Sequence, residues 1–537
     1  MSVLSDSLSK AVDSLLKRGL DQYLGQLHRG IEKESLRVTP DGTLASTPHP
    51  CALGSSLTHS SITTDYSESL LEFVTGIHTN ISQLIQELHN IHHFTYQHIG
   101  NEKLWVNSMP CIVESEEKIP IAQYGTSNIA RMKEIYREGL HHRYGSLMQT
   151  IAGIHYNFSL PCDFWYMLAE QDGIDNIKNY KSKRYFDLIR NYHRLSWATI
   201  YLFGASPAVC QTFLNNREHS LTPLHRHTFY GPTATSLRLS QLGYSNESQN
   251  DIQINYNNVE SFVQSLRYAI QTSYPPYEKI GVKANAHYRQ LNSNLLQIEN
   301  EFYASIRPKR VTKSCQSPSR ALCLGGVEYV EIRNIDLNPF VPVGIDADCI
   351  RFYDLLLLAC MLLDSPEMDD AEFQLTVKNQ QEMVMNGRNP DSHIMLVDGE
   401  KNSFAEMHEL LNALTPLAEL LDSLENSINY QLSLQSQRFK IDHPELTPSG
   451  QIVTRVIKNE DSFFEFAMDL AEETERYFKN SKIDPEISQK FKQLSHESHQ
   501  AQKEIEEADS MSFDDFLVDY FNRQNSPMPS CGCGNTL

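Results

Sequence analysis

The sequence contains no G-x-x-x-x-G-K-[ST] segment, and its single G-x-G, at Gly532 and Gly534, lies in the terminal tail. Neither a P-loop nor a dinucleotide fingerprint is present, so any nucleotide site must be of another kind. Long apolar runs are missing as well. The longest, Leu355 to Leu363, falls well short of the roughly 18 residues a membrane-spanning helix needs. The opening MSVLSDSLSKAVDSLLKRGL interrupts its leucines with Ser, Asp and Lys, unlike a secretory signal, and a cytoplasmic protein is expected. Positive charge is scarce: 46 Lys and Arg against 67 Asp and Glu leave a formal charge of -21. Such a field repels phosphate backbones and anionic lipid, which argues against nucleic-acid or membrane partners. Cysteine is dilute, with ten in 537 residues, and the eight from Cys51 to Cys360 show no zinc-type pairing. Reduced thiols are expected.

What is present is an ordinary globular composition, 40% hydrophobic and 21% charged, enough for a sizeable core. The length allows roughly 3 to 4 ordinary domains, yet no fixed-period repeat or Pro/Gly-rich linker divides the chain. The expectation is one α+β unit over 1–525, with a sheet-bearing core at about 25–345 and a helical support region at about 346–525. The Pro/Ser/Gly segment 526–537 is expected to be a disordered tail. Leucine spacing predicts an amphipathic helix from Leu4 to Leu24, capped by Ser5 or Asp6. The clearest strands are Ile31 to Val38, Leu70 to Thr75, Gly153 to Leu160 and Val327 to Arg333. After Asp346 the strand signal nearly vanishes.

The strands carry the chemistry. In RGIEKESLRV a period of two puts Glu32 and Glu34 on one face, which suits either a hard cation or plain solvation. In LLEFV, Glu72 points the opposite way from Leu71 and Phe73, and a carboxylate in so apolar a strand needs a partner. Asp65 precedes it in ITTDYSES. GIHYNFSL separates Ile154, Tyr156 and Phe158 from a polar stripe of His155, Asn157 and Ser159, where His155 is either a ligand or a hydrogen-bonded structural residue. In GGVEYVEIRNIDLNPF, Glu331 and Arg333 share a face, as an ion pair or as part of a phosphate site.

Several stretches together, RGIEKESLRV, LTHSSITTDYSESLLEF, SMPCIVESEEKIPIAQYGTSN, YREGLHHRYGSLMQTIAGIHYNFSLP, YLFGASPAVC, TSLRLSQLGYSN, LQIENEFYASIRPKR and GGVEYVEIRNIDLNPF, closely resemble the gamma-proteobacterial type of glutamate-cysteine ligase. The resemblance is dense from about Gly30 to Val343. It implies a glutamine-synthetase-like fold, a curved antiparallel sheet of about six strands forming a funnel. It also implies ATP-dependent joining of the glutamate γ-carboxylate to the cysteine amine through a γ-glutamyl phosphate, the first step of glutathione synthesis. No ATP-grasp module accompanies it, which leaves only that first step. Carried over by the resemblance, Glu32, Glu34, Asp65, Glu72, His155 and Glu331 match magnesium-site positions, with manganese as an alternative metal. Arg238, Asn300 and Arg333 match positions that hold substrate carboxylate or the transferring phosphate. Tyr66, Tyr136, Leu140, Gln149, Tyr244 and Tyr303 resemble the cysteine pocket. A monomer is expected, and feedback inhibition by glutathione stays open.

Two other readings compete. A related ligase would share the metal and phosphate machinery and differ in its acceptor pocket, whereas a derived binding protein would have lost a metal carboxylate or phosphate arginine, and none is lost. Three features lie outside this scheme. His89 and His93 have the spacing of a helical metal pair but no intervening H-E-x-x-H glutamate, and read as a polar helix face. Cys531 and Cys533 read as part of an unstructured tail, and Cys111 as a buried or semi-buried thiol.

Overall fold

A computed structural model describes residues 3–110, 112–215, 217–243, 252–313, 316–528 and 531. Its centre is an antiparallel sheet built from β1 (His28–Val38), β2 (Ile62–Thr64), β3 (Leu70–Val74), β4 (Lys103–Leu104), β5 (Ile154–Ser159), β6 (Ile306–Lys309) and β7 (Tyr329–Ile335). Six of these run in the order β6-β7-β5-β1-β3-β2, and β4 pairs with the end of β1. The long β1 is the spine. Its register sets Glu32 opposite both His155 and Val74, and Glu34 opposite Glu72. On the next strand pair Glu331 stands opposite Asn157.

Alternation decides what each face does. Ile31, Ile154, Tyr156, Phe158, Val330 and Ile332 are fully buried on the rear face, where helices cover them. The helices that matter here are α1 (Val3–Lys17), α2 (Ile81–Tyr96), α3 (Asn128–Tyr144), α4 (Ile177–Leu195), α5 (Pro318–Gly325), α6 (Ala347–Leu362), α7 (Ser403–Glu425), α8 (Asn429–Asp442), α9 (Phe463–Asn480), α10 (Pro485–Ala508) and α11 (Phe513–Asn525). Asp354 of α6 pins the rear face: it pairs with Arg29 at 2.8 Å and accepts hydrogen bonds from Tyr156 and Tyr430 at 2.6 and 3.1 Å. Removing one partner from so buried an ion pair would strand the other charge.

Lys33, between the two cavity-facing glutamates, points to this rear side. Its ammonium donates to Ser35 Oγ at 2.9 Å and His92 Nε2 at 2.7 Å, and burial pulls its pKa down to about 7. A single apolar cluster runs through both halves of the chain, from Leu8 to Phe491. No helix among the described residues is long and apolar enough to cross a membrane.

Three local expectations are corrected, and the near-absence of strands after Asp346 has one small exception. The first helix starts at Val3, so Ser5 and Asp6 fall inside its first turn, and it breaks before Gly19, whose φ of +63° ends it ahead of Leu24. Strand pairing does recur beyond Asp346, in a small hairpin, His393–Leu396 with Gly399–Asn402. His89 and His93 do not form a polar face: both rings pack on Phe478 of α9, because α2 is covered by that helix. Cys323 and Cys531 form a disulfide, so Cys323 is not a reduced thiol and Cys531 is held in place; the pairing spans 208 residues, beyond any local spacing rule. Cys111 and Cys533 lie outside the described residues.

Candidate active site

The front face of the sheet opens into a cavity of about 640 Å³. Its walls hold Glu32, Glu34, Asp65, Tyr66, Glu72, Tyr136, Leu140, Gln149, His155, Arg238, Asn300, Tyr303, Glu331 and Arg333. Every residue assigned to the metal, phosphate or substrate positions by the family resemblance is therefore gathered here except Tyr244, which lies outside the described residues.

The acids sit side by side because β3, β1, β5 and β7 are neighbours and each contributes its front-facing positions. His155 hydrogen-bonds Glu32 Oε2 through Nδ1 at 3.2 Å, and its Nε2 lies 3.8 Å from Glu34 Oε1. Asn157 donates to the other Glu32 oxygen at 2.9 Å. Glu34 also accepts the Gly153 N–H at 2.7 Å. Glu331, 0% exposed, meets Lys309 at 3.0 Å and Arg333 at 3.1 Å.

Electrostatics divides these carboxylates. Burial opposes the charge of Glu331, yet Lys309 and then Arg333 outweigh it and hold the group well below the ordinary carboxylate range. Burial also pushes Glu32 up, and the hydrogen bond with His155 brings it back below its usual value. Glu34 and Glu72 go the other way. Burial, then Asp65, raises Glu34, while burial, then Glu32, Asp65 and Glu34, raises Glu72 well above normal. The wall formed by Glu34, Asp65 and Glu72 thus carries more negative charge than its own cations neutralise, and an added cation would relieve it.

The donor set fits a divalent metal. Ligand atoms of Glu32, His155 and Glu331 all lie within 4.8 Å of one another, and the carboxylate oxygens suit magnesium or manganese, for which the imidazole is the less usual ligand. The buried Asn157 Oδ1 and Arg333 Nε have no hydrogen-bond partner, so the site keeps polar groups aimed at something more.

Aromatic residues close the opposite side. Tyr66 is buried with its hydroxyl 2.7 Å from Ser146 Oγ, and the Tyr303 hydroxyl is buried, burial raising its pKa against the pull of Arg238 and Arg333. Arg238 donates to the Arg333 carbonyl at 2.8 Å and lies 3.5 Å from Asp336. Helix α3 brings Tyr136 and Leu140, and is held through Arg137, whose Nε donates to the Asp65 carbonyl at 2.5 Å.

Several wall residues are absent from the sequence-derived set. Arg307 and Lys309 alternate along β6, so a period of two in SIRPKR would have found them. Tyr520 and Gln524, from α11 in the region read as helical support, also line the cavity, and no local pattern points to them.

Residues 12–383 match the family model described as glutamate-cysteine ligase. Over 524 residues the chain is 48% identical to a glutamate-cysteine ligase of Alcanivorax borkumensis, covering 96% of this chain and 99% of that protein. A glutamate-cysteine ligase of Pseudomonas entomophila is 45% identical, over 97% and 98%. Among solved structures, the glutamate-cysteine ligase of Francisella tularensis in complex with AMP superimposes with a TM-score of 0.88 at 34% identity, covering 93% of this chain and 98% of that one. A bifunctional glutathione synthetase of Pasteurella multocida shares the fold, with a TM-score of 0.70 at 24% identity, over 87% of this chain and 55% of its own.

Proposed function

The chain belongs to the glutamate-cysteine ligase family, and from that premise we propose how its funnel carries out the reaction. The activity is ATP-dependent formation of γ-glutamylcysteine, ADP and phosphate from glutamate, cysteine and ATP. The difficulty is electrostatic: a carboxylate must approach the γ-phosphate of ATP, and two anions meet only where cations offset their charge.

Glu32, His155 and Glu331, with Glu34, Asp65 and Glu72 beside them, would hold magnesium or, in its place, manganese. When bound, the metal neutralises charge on the transferring phosphoryl group. Arg333 and Lys309, already directed to Glu331, face the same region and bind phosphate oxygens, while Arg238 and Asn300 orient glutamate. The glutamate γ-carboxylate oxygen attacks the γ-phosphorus, ADP leaves, and the cysteine nitrogen then displaces phosphate from the acyl carbon. Tyr66, Tyr136, Leu140, Gln149 and Tyr303, with Tyr244 added by family resemblance, form the cysteine pocket and exclude water from the acyl phosphate. A cytoplasmic monomer and glutathione feedback belong to the same reading.

The observation that carries this reading is the meeting of an over-acidic row, Glu32, Glu34 and Glu72, with the cationic edge Lys309–Arg333 around one cavity. Purified protein with ATP, magnesium and glutamate is expected to release ADP rapidly on adding cysteine and much more slowly with other amines. A stronger response to a different amine would move the acceptor assignment, and no amine-dependent release would overturn the enzymatic reading.

A further inference from the structure

Helix α11 reaches the cavity from the far end of the chain. Phe513 and Leu517 bury themselves against Met132 of α3 and Leu291. Two turns on, Tyr520 and Gln524 line the cavity itself, joined by a hydrogen bond from Gln524 Nε2 to the Tyr520 hydroxyl at 2.5 Å. Beyond them, among the described residues, the polar contacts lie near the surface. Arg267 donates to the Gln524 carbonyl at 2.9 Å, Gln271 to Asn525 at 3.1 Å and Arg320 to Ser526 at 2.9 Å. Each such bond is worth only about 1 kcal/mol, and the exposed Asp514–Lys283 pair at 2.9 Å in the first turn adds little more, so the docking of this helix rests mainly on its apolar face. The covalent tie comes next: Cys531 is bonded to Cys323 on α5, the helix whose first residue, Pro318, also lines the cavity.

We propose that the Cys323–Cys531 disulfide is a thiol-responsive latch that keeps α11 seated as a wall of the active site. The reactant is a low-molecular-weight thiol, the chemical class to which this enzyme's acceptor and product both belong; that link rests on the ligase reading above. Cys323 is 1% exposed and Cys531 only partly buried, so attack falls on Cys531. The incoming thiolate bonds to Cys531 Sγ, the Sγ–Sγ bond breaks, and Cys323 leaves as a thiolate that takes up a proton. A second thiol then attacks the mixed disulfide, releasing Cys531 as its thiol. The sum is two external thiols oxidised to one disulfide and one protein disulfide reduced to two thiols.

The consequence for catalysis follows from where α11 sits. With the latch closed, Tyr520 and Gln524 stay in the wall and water is kept from the acyl phosphate. With it open, α11 leaves more often, the acceptor binds less well and hydrolysis competes with ligation. Abundant thiol therefore slows its own synthesis, and scarce thiol restores it.

The test uses the full-length enzyme, a phosphine reductant, and an acceptor in which a methyl group replaces the thiol, since cysteine itself would open the latch. Peptide mapping without reductant should find the Cys323 and Cys531 peptides linked. Reductant should speed amide exchange across 513–525, raise KM for the methyl acceptor by roughly threefold or more, and increase ADP release per ligation. Cys531→Ser should match the reduced enzyme and no longer respond to the phosphine. Unlinked peptides, unchanged exchange in 513–525, or a Cys531→Ser enzyme that still responds would each overturn the latch. The exchange measurement reads it even if the ligase reading fails.

Discussion

Gly153 and Glu34 exchange two hydrogen bonds: the glycine N–H donates to Glu34 Oε2 at 2.7 Å, and the Glu34 N–H donates to the Gly153 carbonyl at 3.0 Å. The same glycine lets Arg238 lie flat against the backbone, because a Cβ there would stand 2.0 Å from Arg238 Nη2. One residue without a side chain therefore positions an acid and a base of the site together. Gly153→Ala is expected to displace the guanidinium, cost about 1 to 3 kcal/mol of stability and lower kcat/KM for glutamate more than tenfold. Thermal unfolding and steady-state kinetics measure the two effects, and wild-type values for both would remove Gly153 from the site.

Glu32 is joined to both His155 and Asn157. Glu32→Gln keeps the shape and the Asn157 contact yet removes the charge opposite His155, and turnover should fall roughly 100-fold or more with the fold retained. A circular-dichroism spectrum like the wild type together with lost activity across a magnesium titration is the expected pair. Full activity at limiting magnesium would disprove the metal assignment.

Arg333 donates to Glu331 from one guanidinium nitrogen while its buried Nε has no partner. Lysine can replace the charge but not the planar fork, so Arg333→Lys should reduce kcat/KM for ATP and for glutamate at least tenfold. An unchanged ratio for both substrates would return Arg333 to a plain ion pair.

Tyr303 places its hydroxyl in the buried wall near Arg238 and Arg333. Tyr303→Phe should raise KM for cysteine by an amount equivalent to about 1 to 3 kcal/mol while KM for ATP and glutamate barely moves. Equal weakening for all three would mean general damage to the sheet.

His193 concerns stability rather than chemistry. Its ring packs against both Tyr256 and Phe373, Nε2 has no partner, and burial, followed by Arg194, holds its pKa at about 3. The unfolded chain takes up this proton near pH 6.5, the folded one only near 3, so stability from this residue is complete above 6.5 and is lost as the pH falls. In that window it contributes a slope of about 1.4 kcal/mol per pH unit. His193→Phe should flatten the acid side of a denaturant-derived stability profile by that amount, and an identical slope would mean that His193 titrates normally when folded.

What could be read in the chain follows from the range of each interaction. Glu32, Glu34, Glu331 and Arg333 were legible because a strand repeats every second residue, and the same rule reached His155 and Asn157. Which strands adjoin was not, since the pairing of Glu32 with both His155 and Val74 depends on distant register. Tyr136, Leu140, Gln149 and Tyr303 came only through family resemblance, having no periodic signal of their own. Tyr520, Gln524 and the Cys323–Cys531 pairing were invisible because a terminal helix's docking site is set by tertiary packing. The histidines of α2 were misread because nothing nearby in sequence announces that Phe478 will cover them.

Lys33 adds a constraint of another kind. Along β1, a carboxylate, an amine and a carboxylate alternate front, rear and front, with Lys33 locked to His92 behind the sheet. A deletion or insertion of one residue in this strand would swing the amine into the cavity and drive both acids into the apolar rear layer. Loops around the funnel can lengthen or shorten over generations, but β1 can change only by substitution, one position at a time.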